Sequence, residues 1–236
     1  MQEKNNKKRK FWISTISEFI IVILGILVAL QINNWNQERK NKKLEITLLN
    51  EFLVNLEGDL KDVEFNIAYL GKILNSGEII LTHFEEGKPY HDSLKYHLGL
   101  LANGTIFGRN LSTYESLKSV GIALISNDNI RKQITFLYSA RYAFIDKLEN
   151  FQHDLMSNLL FPVLSETLIM NGSDGTAIPL NPEKISKNNS FMECIKLNNY
   201  YINIQIISYK DLKNLILKLM GDIKTELGYD DKNQSL

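Results

Sequence analysis

Cysteine, proline and glycine are all scarce. A single cysteine, Cys194, excludes a disulfide framework and any cysteine-rich zinc module. Four prolines and 13 glycines are too few for a turn-rich β-sandwich. Neither sign of charge dominates: 27 Lys and Arg balance 27 Asp and Glu, which argues against a basic nucleic-acid binder or an acidic tail protein. Catalytic signatures are missing too. There is no G-x-S-x-G elbow, phosphate loop, H-E-x-x-H or complete calcium loop. What is present is a chain of 236 residues, 44% hydrophobic and 23% charged, enough for one ordinary folded domain.

The balanced charge is unevenly placed. Residues 1–43 carry nine Lys and Arg against Glu3, Glu18 and Glu38, a net of +6, so the remainder carries −6. Between the basic clusters lies the most apolar stretch, FIIVILGILVAL from Phe19 to Leu30. Extended to Phe11 and Ile32 it has 22 residues, roughly 33 Å of helix, close to the hydrocarbon thickness of a bilayer. The only two tryptophans, Trp12 and Trp35, bracket it, and indole rings favour the headgroup level. A buried soluble helix needs no such flanks. A cleaved signal peptide wants a small-x-small site, but the chain continues as Gln31-Ile32-Asn33-Asn34-Trp35. The expectation is therefore an uncleaved single-pass anchor in the lipid bilayer: a basic tail over 1–10, a transmembrane helix over 11–35 and a helical bundle over 36–236.

Five Lys and Arg plus the terminal amine precede the span, and four follow closely. The positive-inside rule then leans toward a cytoplasmic amino terminus and an extracytoplasmic bundle. Within the span, Glu18 is costly at the bilayer centre but lies about one and a half turns past Trp12, within reach of the interface. A helix–helix contact and a proton path are the alternatives. Gly25 and Ala29 form a small-xxx-small pair, a face on which a second helix approaches closely.

Beyond the span the pattern becomes amphipathic. Ile46, Leu49, Leu53, Leu56, Leu60, Val63, Ile67, Leu70 and Leu74 advance by threes and fours, predicting a coiled-coil-like helix over 36–76. Leu48, Phe52, Tyr69 and Ile73 widen the stripe, which favours packing within a bundle over a dimer seam; the two can coexist. Asp92 is expected to cap a helix running to Leu101. Ser112 with Glu115, and Ser190 with Glu193, read as capping boxes, and Ser126 as a further cap. A helix with Ile130, Ile134, Leu137, Ile145, Leu148, Leu155 and Leu159 should reach Pro162, followed by a loop from Asn171 to Asn189. A last helix carries Ile202, Ile206, Tyr209, Leu212, Ile216, Leu219, Ile223 and Leu227 and stops at Gly228. The fold class is all-α, a bundle of approximately four helices.

Histidines 83, 91 and 97 cluster near Glu85, Glu86 and Asp92, but spacings of eight and six do not stack ligands on one helix face. A solvated polar corner is expected, with no metal and no cofactor. Asn171-Gly172-Ser173-Asp174-Gly175 lacks the downstream bidentate Glu of a calcium loop and reads as a turn. Cys194, among apolar neighbours, reads as a packed thiol.

Two segments carry a resemblance. EFIIVILGILVALQINNWNQER, from Glu18 to Arg39, is similar to the amino-terminal hallmark of a family of uncharacterised single-pass bacterial membrane proteins. Tyr114-Glu115-Ser116-Leu117-Lys118-Ser119-Val120-Gly121, followed by Leu124-Ile125-Ser126-Asn127, resembles its central motif. Family members commonly have glycine where this chain has Ser17. The resemblance implies a single-pass helical protein of Gram-negative-type bacteria and implies no activity. Capping accounts for much of the central motif but leaves Lys118 and Ser119 unexplained, so these two are the candidate functional surface.

These features point first to a non-enzymatic, membrane-anchored interaction or scaffold module, with a homo-oligomer or a membrane protein as partner, no nucleic acid and no catalytic residue. The alternative is a signal-receiving subunit; with only ten residues before the span, it needs a second membrane protein for output. The third reading is an enzyme with a nonstandard site, which a deep polar pocket gathering His153, Glu115 and Lys118 would favour.

Overall fold

The computed structural model describes the backbone of residues 2–229 and the side chains of residues 20–229. The side chains of Trp12 and Glu18 therefore lie outside the described residues. The chain divides into two compact units, residues 1–48 and 49–236. It is almost entirely helical: α1 Gln2–Glu85, α2 Lys95–Leu100, α3 Ser112–Val120, α4 Asp128–Thr135, α5 Tyr142–Leu155, α6 Phe161–Thr167, then strands β1 Leu168–Asn171 and β2 Thr176–Pro179, and finally α7 Asn189–Glu226. The all-α expectation holds.

In the second unit the face that α1 buries is rotated from the predicted seam. Leu49, Leu56, Val63 and Leu70 are buried, as their spacing requires. Their partner row, however, is Phe52, Asp59, Asn66, Ile73 and Ile80. Leu60, Ile67 and Leu74, expected at seam positions, are only half-buried. The reason is chemical: two of the five buried partners are polar, so an apolar count places the stripe one row away from where burial occurs. The prediction for α7 needs no such shift. Ile202, Ile206, Tyr209, Leu212, Ile216, Leu219 and Ile223 are all buried, and Gly228 has φ +73° just past the end.

The helix expected to reach Pro162 does so and runs on to Thr167, in three pieces. Single π-helical stretches, Phe136–Arg141 and Met156–Leu160, join α4 to α5 and α5 to α6. A π turn adds one residue and shifts the phase of the face. Met156 and Leu160 are thus buried, while Leu159 points outward at 40% exposure. Pro162 directly follows the second π turn, where the regular i→i−4 ladder is already interrupted.

The predicted caps are displaced. Asn127 rather than Ser126 caps α4, accepting from Asn129 N and Ile130 N. Asn188 caps α7 by accepting from Phe191 N, so the Ser190–Glu193 box does not form and Glu193 pairs with Lys196. Ser112 is the first residue of α3, its amide donating to Asn110 Oδ1, and Glu115 pairs with Lys118. His91, not Asp92, caps the 3-10 turn Asp92–Leu94 that leads into α2. In each case a side-chain acceptor one or two residues from the expected one serves the free amides, downstream for α4 and upstream for the others.

The segment expected to be a loop contains a hairpin, with Leu168 opposite Pro179 and Asn171 opposite Thr176. Four-residue strands are too short to display alternation. Its turn is the Asn171–Gly175 stretch: Asn171 Oδ1 accepts from Ser173 N, Asp174 Oδ1 accepts from Thr176 N, and Gly175 has φ +68°. The hairpin lies against α2 beside a core of Ile80, Phe84, Leu98, Leu164, Phe191 and Ile195. Contact is so close that a β-carbon added at Gly99 would stand 1.9 Å from the Gly175 carbonyl oxygen. Replacing Gly99 with Ala forces two backbones apart, and we expect a loss of roughly 2–3 kcal/mol, measured by chemical denaturation of the full chain in detergent. Gly58→Ala, with nothing within 4 Å, is expected to stabilise slightly.

Candidate functional site

Three features outside the plain core stand out: a bare apolar helix segment, a polar clamp on α1, and a cavity.

In the first unit, the large apolar side chains from Ile20 to Ile32 are 40–67% exposed, and Trp35 is 63% exposed. Every side of the helix is bare. This is the one helix, among the described residues, long and apolar enough to cross a membrane. Gly25 belongs to this stretch and has no neighbouring atom within 4 Å of an added β-carbon. Facing water, such a stretch would form an apolar surface far beyond what soluble monomers tolerate.

The polar clamp lies in the second unit. Asn55, Asp59, Asp62 and Asn66 follow helical spacing along one side of α1 and hold the connection from α2 to α3. Asp59 Oδ1 accepts from Asn110 N at 2.9 Å, and Asp62 Oδ2 accepts from Gly108 N at 2.8 Å. Asn66 donates to the Ile106 carbonyl at 3.3 Å and accepts from the Thr105 hydroxyl. Asn55 donates to Thr113 Oγ1 at 2.7 Å and accepts from Asn110 Nδ2 at 3.0 Å. From the other side, Glu149 Oε1 accepts from Phe107 N at 3.0 Å, and Arg109 pairs with Asp146.

An aromatic stack backs the clamp. Tyr114 stacks on Tyr138 at 4.9 Å, Tyr138 tilts against Tyr142 at 4.9 Å, and the Tyr142 hydroxyl donates to Asp59 Oδ2. Burial raises the Asp59 pKa above its usual value, opposed by the hydrogen bonds from Tyr142 and Asn110. Burial also raises Glu149, opposed by bonds from Tyr209 and Phe107. The tyrosines are pushed up in turn, by burial first and then by the neighbouring carboxylates.

The cavity, of about 770 Å³, lies beside the clamped connection. Leu70 of α1, Met156, Phe161 and Ile202 of α7 supply apolar walls, and residues 102–106 supply a third side. Glu149, Gln152 and His153 of α5 and Gln205 of α7 bring polar groups. No lysine or arginine lines it.

The residues singled out from the sequence fare unevenly. Lys118 is spent locally, pairing with Glu115 at 2.7 Å and lying 5.2 Å from the Tyr114 ring centre. The Ser119 hydroxyl donates to the Ser116 carbonyl of its own helix. The rest of the central motif is structural: Tyr114, Leu117 and Ile125 are buried, and Gly121 turns the chain at φ +103°. The cavity includes His153 but neither Glu115 nor Lys118. The three clustered histidines have separate partners: His83 the Pro89 carbonyl, His91 the Ser93 amide and His97 the Ser76 hydroxyl. No three His, Cys, Asp or Glu converge among the described residues. Cys194 is buried, and burial raises its pKa. Asp59, Asn66, Gln152 and Gln205 carry the polar interior, and sequence reasoning missed them because each interrupts an apolar pattern without forming a motif.

A bare apolar helix followed by a bundle built on a clamped helix defines the class, an uncharacterised helical protein. Residues 18–158 match the model of a family of unknown function, DUF6090, and the chain belongs to that family. The match begins at Glu18, where the hallmark starts, and takes in the clamp and the central motif. No curated protein and no solved structure matches the chain.

The raised carboxylates set a pH response. Asp59 and Glu149 hold protons more tightly folded than unfolded, so their contribution to stability declines as pH rises from about 4 through their folded pKa values. Asp128, Asp174 and Asp222 are lowered by their partners and act only in the more acid range. We expect a higher melting temperature near about pH 5 than near about pH 8, with a smaller difference in Asp59→Asn. Tyr142→Phe, which strips a donor from the buried carboxylate, is expected to cost roughly 1–3 kcal/mol.

Proposed function

We propose that this chain is a membrane-anchored, non-enzymatic interaction protein of the bacterial inner membrane. Its helical bundle meets partners close to the lipid surface. The observation that carries this reading is the stretch from Ile20 to Ile32, apolar and exposed on every side, with Trp35 at its edge. Lipid tails are the solvent in which that surface costs nothing. Lys and Arg counts on the two sides favour an amino terminus in the cytoplasm and the bundle outside it. Val54 and Phe65, 69% and 62% exposed and about three turns apart on the same side of α1, support self-association along that helix.

A second reading has one observation in its favour. Gly25 leaves open space on the bare helix, and with Ala29 it offers a close-approach face to another spanning helix. There the chain would serve as the receiving subunit of a signalling pair.

Alkaline carbonate extraction tests the anchor. The protein is expected in the pellet, and folded full-length chain in the supernatant would end the proposal. Reporter fusions at both termini fix the orientation. Replacing both Gly25 and Ala29 with Leu should abolish capture of a spanning partner under the second reading, and leave cross-linked self-association intact under the first.

A further inference from the structure

We propose that the cavity beside the clamped connection is a binding site for a small, largely apolar molecule with an uncharged head that both donates and accepts hydrogen bonds. This goes beyond the anchoring role and does not depend on it. At about 770 Å³ the cavity falls within the range of small-molecule sites. Its walls are Leu70, Met156, Phe161 and Ile202, and its mouth is apolar too: Ile106 is 78% exposed and Phe161 40%.

The polar groups inside are built but unfinished. Gln205 is only 2% exposed and lines the cavity. Gln152, 7% exposed, lines the cavity and donates through Nε2 to Asn198 Oδ1 at 2.8 Å, and its Oε1 has no partner among the described residues. Buried amides with open positions are costly, and a ligand head of matching chemistry recovers that cost. Glu149 takes both of its hydrogen bonds, from Phe107 N and the Tyr209 hydroxyl, on Oε1.

The charge of the head follows from the lining. With no lysine or arginine in the lining, a carboxylate or phosphate finds no permanent counter-charge, and His153 is the one side chain there able to carry positive charge. Glu149, the one carboxylate in the lining, already serves Phe107 N and the Tyr209 hydroxyl through Oε1, so a cation would have to share it with two donors. The amides of Gln152 and Gln205 suit a neutral carboxamide or alcohol, with the apolar body against Leu70, Met156 and Ile202.

Three probes of one shape separate the possibilities: 2-naphthamide, 2-naphthoate and 2-naphthylmethylammonium, with naphthalene as the headless control. Binding to the full chain in nanodiscs, read by saturation-transfer NMR against empty nanodiscs, is expected to favour the amide. Gln205→Leu should weaken the amide roughly tenfold while leaving naphthalene unweakened. Ile106→Trp, at an exposed rim position, should weaken both without lowering the melting temperature. Should Gln205→Leu fail to fold, Gln205→Glu keeps the shape and is expected to weaken the amide through its charge. Absence of binding by the amide, preference for the ammonium or the naphthoate, or equal amide affinity in the Gln205 variants would overturn the assignment. None of these results bears on carbonate extraction, so the two proposals fail separately.

Discussion

A carboxylate buried on a helix face must find donors, and Asp59 finds them 51 residues away at Asn110 and 83 residues away at Tyr142. That requirement organises the second unit. To serve Asp59, Asp62 and Asn66, the connection between α2 and α3 must lie along α1 with its amides turned inward. To serve Asp59 from the other side, α5 must present Tyr142 at the same level. Three segments distant in sequence are thereby held in one register, with α7 joined through Tyr209 and Glu149. Apolar contacts alone tolerate sliding, whereas a buried carboxylate does not, because a lost partner leaves a desolvated charge.

The segment Tyr114–Asn127, read from the sequence as a motif, takes its meaning from this arrangement. Tyr114 reaches the stack that ends at Tyr142, and Ser112 and Thr113 meet Asn55 on α1. Leu117 closes the core beneath, and Gly121 lets the chain turn away. The motif is thus largely a device for seating a short helix on the clamp. Its exposed members, Lys118 and Ser119, are engaged within α3 itself.

The cavity and the clamp share a wall. Glu149 binds the Phe107 amide and also lines the cavity, and Thr105 and Ile106 belong to both. An occupant of the cavity would therefore press on the connection that the buried carboxylates hold. The bundle thus holds its buried carboxylates and an open cavity of about 770 Å³ side by side.

Periodicity and hydropathy were enough where the apolar residues alone trace the buried face, as on α7 even with Gln205 and Ser208 buried among them. α7 follows its pattern from Ile202 to Ile223, and the bare segment after Phe19 is visible in composition alone. On α1, where two of the five residues in one buried row are polar, the pattern misleads. Asp59 and Asn66 displaced the apparent seam of α1 by one row, and the π turns after α4 and α5 carried Leu159 out and Met156 in. Capping residues were misplaced by one or two positions because several adjacent acceptors compete and only the local backbone selects among them. The chain by itself thus determined a helical protein with one stretch fit for lipid, since those depend on side chains near in sequence. The tertiary structure decided the buried polar line, the clamped connection and the cavity, since each needs donors, acceptors or walls drawn from segments that only folding brings together.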